Sequence, residues 1–582
     1  MNYKKNLALF LGLLLGAAPF TEGRAQSDNR FEVSKNLDIF NALVKEAEMF
    51  YVDSMDVEKS VRRGIDAMLS GLDPYTEYYP ESEMETLKLM TTGEYGGIGS
   101  LIRQRNNKGG VVIAEPTEGM PAALAGLKAG DRILAIDTID VSGATNERVS
   151  SLLKGVPNTT FTITIQRPGE QKPRKIEITR KQIVAPQVVY YGVRQDSIGY
   201  IYLQGFTDKS AQEVKEAFLD LKQNHHIKSL ILDLRNNGGG VLEGAVQIVG
   251  MFVPKGSEVI STRGKVRQWD RTYRTPVEPL DTVMPMAVLI NGGSASASEI
   301  VSGSLQDLDR AVLIGQRSFG KGLVQSTRDL PYDGKLKVTI SKYYIPSGRC
   351  IQQLDYSHRR EDGSVGAVPD SLTSVFYTSK GRPVRDGGGV RPEFEIEEPK
   401  TPTMLYYLAA DTVLFDFVTD WAQKHPKIAP IESFVVTDED FEALKRYAME
   451  KNFTYDRQSE KALKNLREVA EFEGYLDEDS TLFAALEAKL TPNLERDFDR
   501  FKDQVKKVLA SEIVKRYYYQ SGNLQESLKD DKVLDKALEV LADPALYVRT
   551  LSAPEKKEEE AASLYPPNLT CKTTSSDAVP TR

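Results

Sequence analysis

Ser229-Leu230-Ile231-Leu232-Asp233-Leu234-Arg235-Asn236-Asn237-Gly238-Gly239-Gly240 is the stretch on which the fold turns. A short, mostly apolar run meets three glycines, and a helix-like segment, 241–252, follows. Such a run predicts a strand buried on both faces. The pattern recurs: residues 286–290 lead into Asn291-Gly292-Gly293 and a helix near 296–308, and 312–314 begin a third strand. Strand, glycine turn and helix in repetition predict an α/β core over 182–400, with its chemistry at the carboxyl ends of the strands.

Upstream, residues 91–181 read as a β-rich module. It opens on Glu94-Tyr95-Gly96-Gly97-Ile98-Gly99, continues with short β-type runs, and holds one capped helix near 146–154. Before it, Leu37, Phe40, Leu43, Val44, Ala47 and Phe50 recur at helical spacing, so 34–90 is expected to be a helical unit broken at Asp73-Pro74. Residues 401–552 carry helical periodicity, as in Leu494, Phe498, Phe501, Val505 and Val508, and predict a helical C-terminal domain. The tail 553–582 has the composition of a disordered segment. Lys4-Lys5, an apolar run over 7–18 and the exit Gly23-Arg24-Ala25 predict a cleavable export signal over 1–25. That run falls short of the roughly 20 residues a spanning helix needs.

The 582 residues carry 27% charged side chains and a net charge of -8, which suits a soluble multidomain protein and argues against nucleic acid as a partner. Two cysteines, Cys350 and Cys571, cannot build a disulfide scaffold. Four histidines, His225, His226, His358 and His425, are the whole supply for a histidine base or a histidine-ligated metal.

Ser294-Ala295-Ser296-Ala297-Ser298-Glu299 is the strongest chemical signal. A serine where a strand turns into a helix sits beside free N–H groups that can stabilise an oxyanion. The same pattern also describes an ordinary N-cap. A serine nucleophile needs a base, and no histidine is well placed for that role. Lys321, in Arg317-Ser318-Phe319-Gly320-Lys321-Gly322, is the other candidate. It would have to fall from about 10.4 to about 7–8, a change of about 4 kcal/mol that burial can supply. A phosphate-binding glycine-lysine turn is the competing reading, although the full P-loop pattern is absent.

Together, Ser294–Glu299, Gln306-Asp307, Phe319-Gly320-Lys321-Gly322 and Gln325 resemble the carboxy-terminal processing peptidases, or tail-specific proteases. Leu72-Asp73-Pro74-Tyr75, the Asp233–Gly240 stretch, Pro346-Ser347-Gly348-Arg349, Gly381-Arg382-Pro383-Val384 and Gly387–Pro392 extend the resemblance over 34–398. It implies a multidomain α+β chain: a helical N-terminal unit, a PDZ module, a crotonase-like (ClpP-type) protease core and a helical C-terminal domain. It implies Ser296 as nucleophile, Lys321 as general base, Gln325 as the residue orienting Lys321, and N–H groups of Gly239, Gly240 and Ala297 as oxyanion donors. Asp307 matches an acidic position read as structural. The PDZ resemblance implies that Tyr95, Gly96, Gly97, Ile98 and Gly99 receive a peptide's terminal carboxylate, while Val149, Leu152 and Leu153 line its side-chain pocket or fill the core. No cofactor or metal is implied. The expected partners are proteins with exposed C-termini, with an adaptor and self-association left open. The expected site of action is the periplasm, with inner-membrane association left open. Two other readings stand beside this one: a non-catalytic peptide-binding scaffold, and a Ser–His hydrolase using His358.

Overall fold

The computed structural model describes residues 22–105, 110–397, 400–490 and 493–553. The predicted export signal and the predicted disordered tail, with Cys571, lie outside these residues, except that 22–25 open a helix, Glu22–Phe50. No helix among the described residues is long and apolar enough to cross a membrane.

The chain forms two compact units. The first joins the residues up to Glu81 to the segment Gln325–Thr339. It contains the helices Glu22–Phe50 and Val57–Ser70, the latter capped by Asp56, whose carboxylate accepts the Lys59 N–H at 3.0 Å. The strand Glu77–Tyr79 pairs antiparallel with 335–337, with Tyr78 opposite Leu336. The Asp73-Pro74 break is an Asx turn: Asp73 Oδ1 accepts the N–H groups of Tyr75 and Thr76, both at 2.8 Å.

The second unit holds the remainder. Its β-rich module is an antiparallel sheet ordered Ser100–Gln104, Val111–Pro116, Arg132–Ile136, Thr160–Gln166, Arg174–Thr179. Thr160–Gln166 alternates buried and half-buried residues, as the period of a half-covered strand requires. The glycine-rich opening of the module, Glu94–Gly97, is a strand paired with Lys181–Val184, Tyr95 lying opposite Ile183. Glycine carries no β signal, so the strand is hidden in the sequence. Val149 and Leu153, one helical turn apart on Asn146–Leu153, are sealed in the module's core, while Leu152 is half-buried against it.

The α/β core is a six-stranded sheet ordered Val188–Arg194, Ile198–Leu203, Ser229–Asp233, Met286–Ile290, Val312–Gly315, Phe394–Glu395. The first pair is antiparallel and the other pairings are parallel. Leu230 and Leu232 face the helices Ser210–Gln223, Leu242–Gly250 and Ala297–Asp307. Ile231, Ala287, Leu289, Val312 and Ile314 face the other way. They are covered by Val533, Leu534, Ala537, Leu538 and Leu541 of the helix Lys532–Ala542 and by Leu551. The C-terminal helical region therefore divides. Residues from Met404 to Val514 build their own core, whereas the last helices complete the six-stranded sheet.

Candidate active site

Met286–Ile290 ends at Asn291, and the helix Ala297–Asp307 starts six residues later, with Ser296 as its N-cap. Ser296 has φ 56°, ψ -112°, a backbone that L side chains avoid. Its neighbours hold it there. Ser294 Oγ donates to the Leu234 carbonyl at 2.8 Å, and Ser298 Oγ donates to the Asn237 carbonyl at 2.8 Å. Asn291 Oδ1 accepts the Asn236 N–H at 2.9 Å, and Tyr343 Oη donates to the Ser296 carbonyl at 3.2 Å. The outer serines thus stitch two turns together. The middle one remains partly accessible.

The glycine turn lies against it. A β-carbon on Gly239 would stand 2.8 Å from Ser296 Cβ and 2.9 Å from the Ala297 nitrogen, so no side chain fits. Gly239 has φ +95° and Gly240 φ +144°. The Gly239 N–H is taken by Asn237 Oδ1 at 2.9 Å, so this residue supplies room beside the serine and its N–H is already engaged. The N–H groups of Ala297 and Gly240 meet no acceptor among the described residues.

Glu299 is the residue that sequence reasoning missed. Its side chain is fully buried, and four donors converge on it: Ser296 N–H at 2.8 Å, Ser318 Oγ at 2.5 Å, Gly320 N–H at 2.7 Å and Lys321 N–H at 2.9 Å. Ser296 and Lys321 share the same oxygen, Oε2. Burial pushes the Glu299 carboxyl above its ordinary value, and the four hydrogen bonds pull against that rise. The Lys321 turn is fixed further by Gln352 Oε1, which accepts the Gly322 N–H at 2.8 Å, and by the Gln353 N–H on the Gly320 carbonyl at 2.9 Å. Lys321 itself is half-buried. In the sequence Glu299 closes the Ser294–Glu299 motif with no role attached to it, three residues after Ser296 as in any capping box.

Gln325 belongs to the first unit, where its amide donates to Thr339 Oγ1 at 3.1 Å. Asp307 is buried against Arg349, 2.9 Å from Nη2, and accepts the Ser347 N–H at 3.0 Å. Gln306 donates to the Arg391 carbonyl and to Glu393, and Glu393 also pairs with Arg382 at 2.5 Å. The Pro346–Arg349, Gly381–Val384 and Gly387–Pro392 motifs thus brace the far end of the Ser296 helix. No histidine side chain bonds to this turn among the described residues. His358 is 85% exposed and pairs with Asp355 of its own strand at 2.7 Å; the Ser357 hydroxyl first, and His358 beside it, draw the Asp355 carboxyl down to about 2. His425 stacks on Trp421, and His225 lies 3.6 Å from Asp220.

A strained serine on a strand-to-helix turn, a glycine turn pressed against it and a lysine turn tied to it are the parts of a serine peptidase core, here joined to a β-rich module. Comparison with known proteins agrees. Residues 197–357 match the model of peptidase family S41, 112–167 that of the PDZ domain, and 404–541 that of "Probable PDZ-protease, C-terminal helical domain". Tyr95–Gly99 lie upstream of the matched PDZ stretch. The chain is 36% identical over 353 residues to the carboxy-terminal-processing protease of Bartonella bacilliformis, covering 60% of this chain and 80% of that one. It is 32% identical over 318 residues to the "Probable CtpA-like serine protease" of Staphylococcus aureus, covering 54% of this chain and 62% of the relative's length. A solved photosystem II D1 C-terminal processing protease aligns at 27% identity and TM-score 0.33, over 61% of this chain and 86% of that one. The chain belongs to the carboxy-terminal-processing proteases, serine-type peptidases of family S41.

Proposed function

We propose that the chain is an exported endopeptidase that takes hold of protein C-terminal tails through its PDZ module and cleaves upstream of them with a Ser296–Lys321 pair. The observation that carries this reading is the shared Glu299 oxygen, which ties the backbones of both residues to one buried point. Lys321 removes the Ser296 Oγ proton as the oxygen attacks the scissile carbonyl. The N–H groups of Ala297 and Gly240 receive the developing oxyanion. The Lys321 ammonium then protonates the leaving amine, and the C–N bond breaks to give an acyl-enzyme and the first product. Water, deprotonated by the same amine, attacks the ester and releases Ser296.

The tail's carboxylate meets the N–H groups of Ile98 and Gly99, which find no acceptor among the described residues, and its backbone adds along Ser100–Gln104. The apolar N-terminal run directs export, and the enzyme processes or degrades periplasmic proteins. Separate Ser296→Ala and Lys321→Ala variants, assayed on an unstructured substrate with an apolar tail, test the chemistry. Both are expected to lose cleavage, and retained cleavage by either one removes the dyad. Labelling of Ser296 by a serine-directed covalent probe distinguishes an enzyme from a binding scaffold.

A further inference from the structure

Asp531, in the C-terminal helical region, reaches the glycine turn beside Ser296. It caps the helix Lys532–Ala542: Oδ1 accepts the Val533 and Leu534 N–H groups at 2.9 and 3.1 Å. Its other oxygen, Oδ2, lies 2.7 Å from Nη1 of Arg235, the residue that opens the Arg235–Gly240 turn. The opposite side of the same guanidinium is held by Asp233, with Nη2 2.6 Å from Oδ2 and Nε 3.0 Å from both oxygens. Asp233 also accepts the Arg235 N–H at 2.9 Å and the Tyr200 hydroxyl at 2.7 Å. The Arg235 side chain is only 12% exposed, so two carboxylates grip one buried cation. The second carboxylate is tolerated because Asp531 sits at a helix N-terminus, where the dipole favours negative charge.

The turn has need of such an anchor. Three consecutive glycines leave its backbone the widest conformational freedom, and ordering that freedom costs free energy. An oxyanion donor works only if it is held within a fraction of an ångström of its position. The far end of the turn is pinned by Phe206, whose N–H donates to the Gly239 carbonyl at 3.1 Å and whose carbonyl accepts the Val241 N–H at 2.9 Å. Asn236 and Asn237 are held by Asn291 and by the Leu203 carbonyl. The opening residue is held by its N–H on Asp233 and by its guanidinium, and Asp531 holds one side of the guanidinium.

We propose that Asp531 is a positioning residue for hydrolysis at Ser296, acting through Arg235 to fix the glycine turn that carries the Gly240 N–H. This deepens the proposed function, resting on Gly240 as an oxyanion donor, and gives the C-terminal helical region a part in the reaction. Asp531's two oxygens have separable tasks. In Asp531→Asn the amide oxygen keeps the helix cap, since Asn caps as well as Asp, while the charge opposite Arg235 is gone.

The experiment compares steady-state cleavage by the full-length wild type, Ser296→Ala, Asp531→Asn, Asp531→Glu and Leu538→Ala. Asp531→Asn is expected to lower kcat about tenfold with KM within twofold and Tm near wild type, as loss of an interaction that acts in the transition state requires. Asp531→Glu, which keeps the charge, is expected to recover most of kcat. Leu538→Ala loosens the same helix away from Arg235 and is expected to lower Tm with kcat unchanged. Wild-type kcat in Asp531→Asn overturns the inference. So does a loss in Leu538→Ala equal to that in Asp531→Asn, or a loss in Asp531→Glu as deep as in Asp531→Asn. Cleavage that survives in Ser296→Ala overturns the proposed function instead, so the two failures are distinguishable.

Discussion

Glu299 concentrates the site's geometry in one carboxylate. Both its oxygens are occupied by donors, so an amide in its place turns one acceptor into a donor facing an N–H. Glu299→Gln is expected to lower kcat by about a hundredfold, the usual penalty for displacing a reacting group by about an ångström, with covalent labelling of Ser296 slowed in parallel. The pH dependence has two opposite signs. Burial raises the folded-state value above that of the unfolded chain, so on acidification the folded chain takes up this proton first. Falling pH through that window therefore stabilises the fold while it undoes the four-donor arrangement that catalysis uses. Wild type minus Glu299→Gln, compared by Tm and kcat from neutral pH downward, should show the Tm difference moving in wild type's favour as its kcat advantage shrinks. Differences that stay flat with pH would assign the acid limb to another group.

At the scale of the element, the two glycine-ended strands and the helix Ala297–Asp307 form one assembly. Ser294, Ser298 and Asn291 bond across to Leu234, Asn236 and Asn237, so each turn is the other's support. Gly239→Ala places a methyl 2.8 Å from Ser296 Cβ on a backbone of φ +95°, and one of the two turns must move. Its kcat is expected to fall at least about a hundredfold, with the circular dichroism of the fold retained; a variant within threefold of wild type would mean the turn has slack. These strands were legible in the sequence because burial on both faces leaves an apolar run such as Ile231 and Leu232 between punctuating glycines. The strand Thr160–Gln166 was legible as a short β-type run over 161–166. Tyr95–Gly97 was not, because glycines carry no strand signal. Nor was Glu299, whose spacing from Ser296 is that of any capped helix, nor the Asp531–Arg235 pair, whose members stand far apart in the chain and meet only once the sheet is closed.

At the scale of the whole molecule, the C-terminal helical region has two attachments within the second unit. One is the sheet face under Lys532–Ala542. The other is the PDZ module: Arg105 pairs with Asp416, Arg103 donates to the Ala410 carbonyl, and Glu115 accepts from Gln520 at 2.7 Å. Gln520 follows a break at Tyr519, φ 54°, in the helix Lys502–Ser527. Burial raises the Glu115 carboxyl above its ordinary value, so this contact is sensitive to the loss of its donor. Gln520→Ala is expected to cost about 1–3 kcal/mol at this contact, read as faster amide exchange in the strand Val111–Pro116 with no change in Ser296 labelling. Unchanged exchange would show that Arg105 and Asp416 hold the module by themselves.

The closing of the sheet by its last helices has a consequence in time. A chain is made from its amino end, and residues 197–357 of the peptidase match are complete long before Lys532–Ala542 exists. Until then Tyr200, Ile231, Ala287, Leu289, Val312 and Ile314 lack the cover of that helix and Arg235 has only one of its two carboxylates. A core built this way keeps an incompletely covered sheet face and a half-held Arg235 until Lys532–Ala542 has docked, so its folding is completed from its C-terminal side.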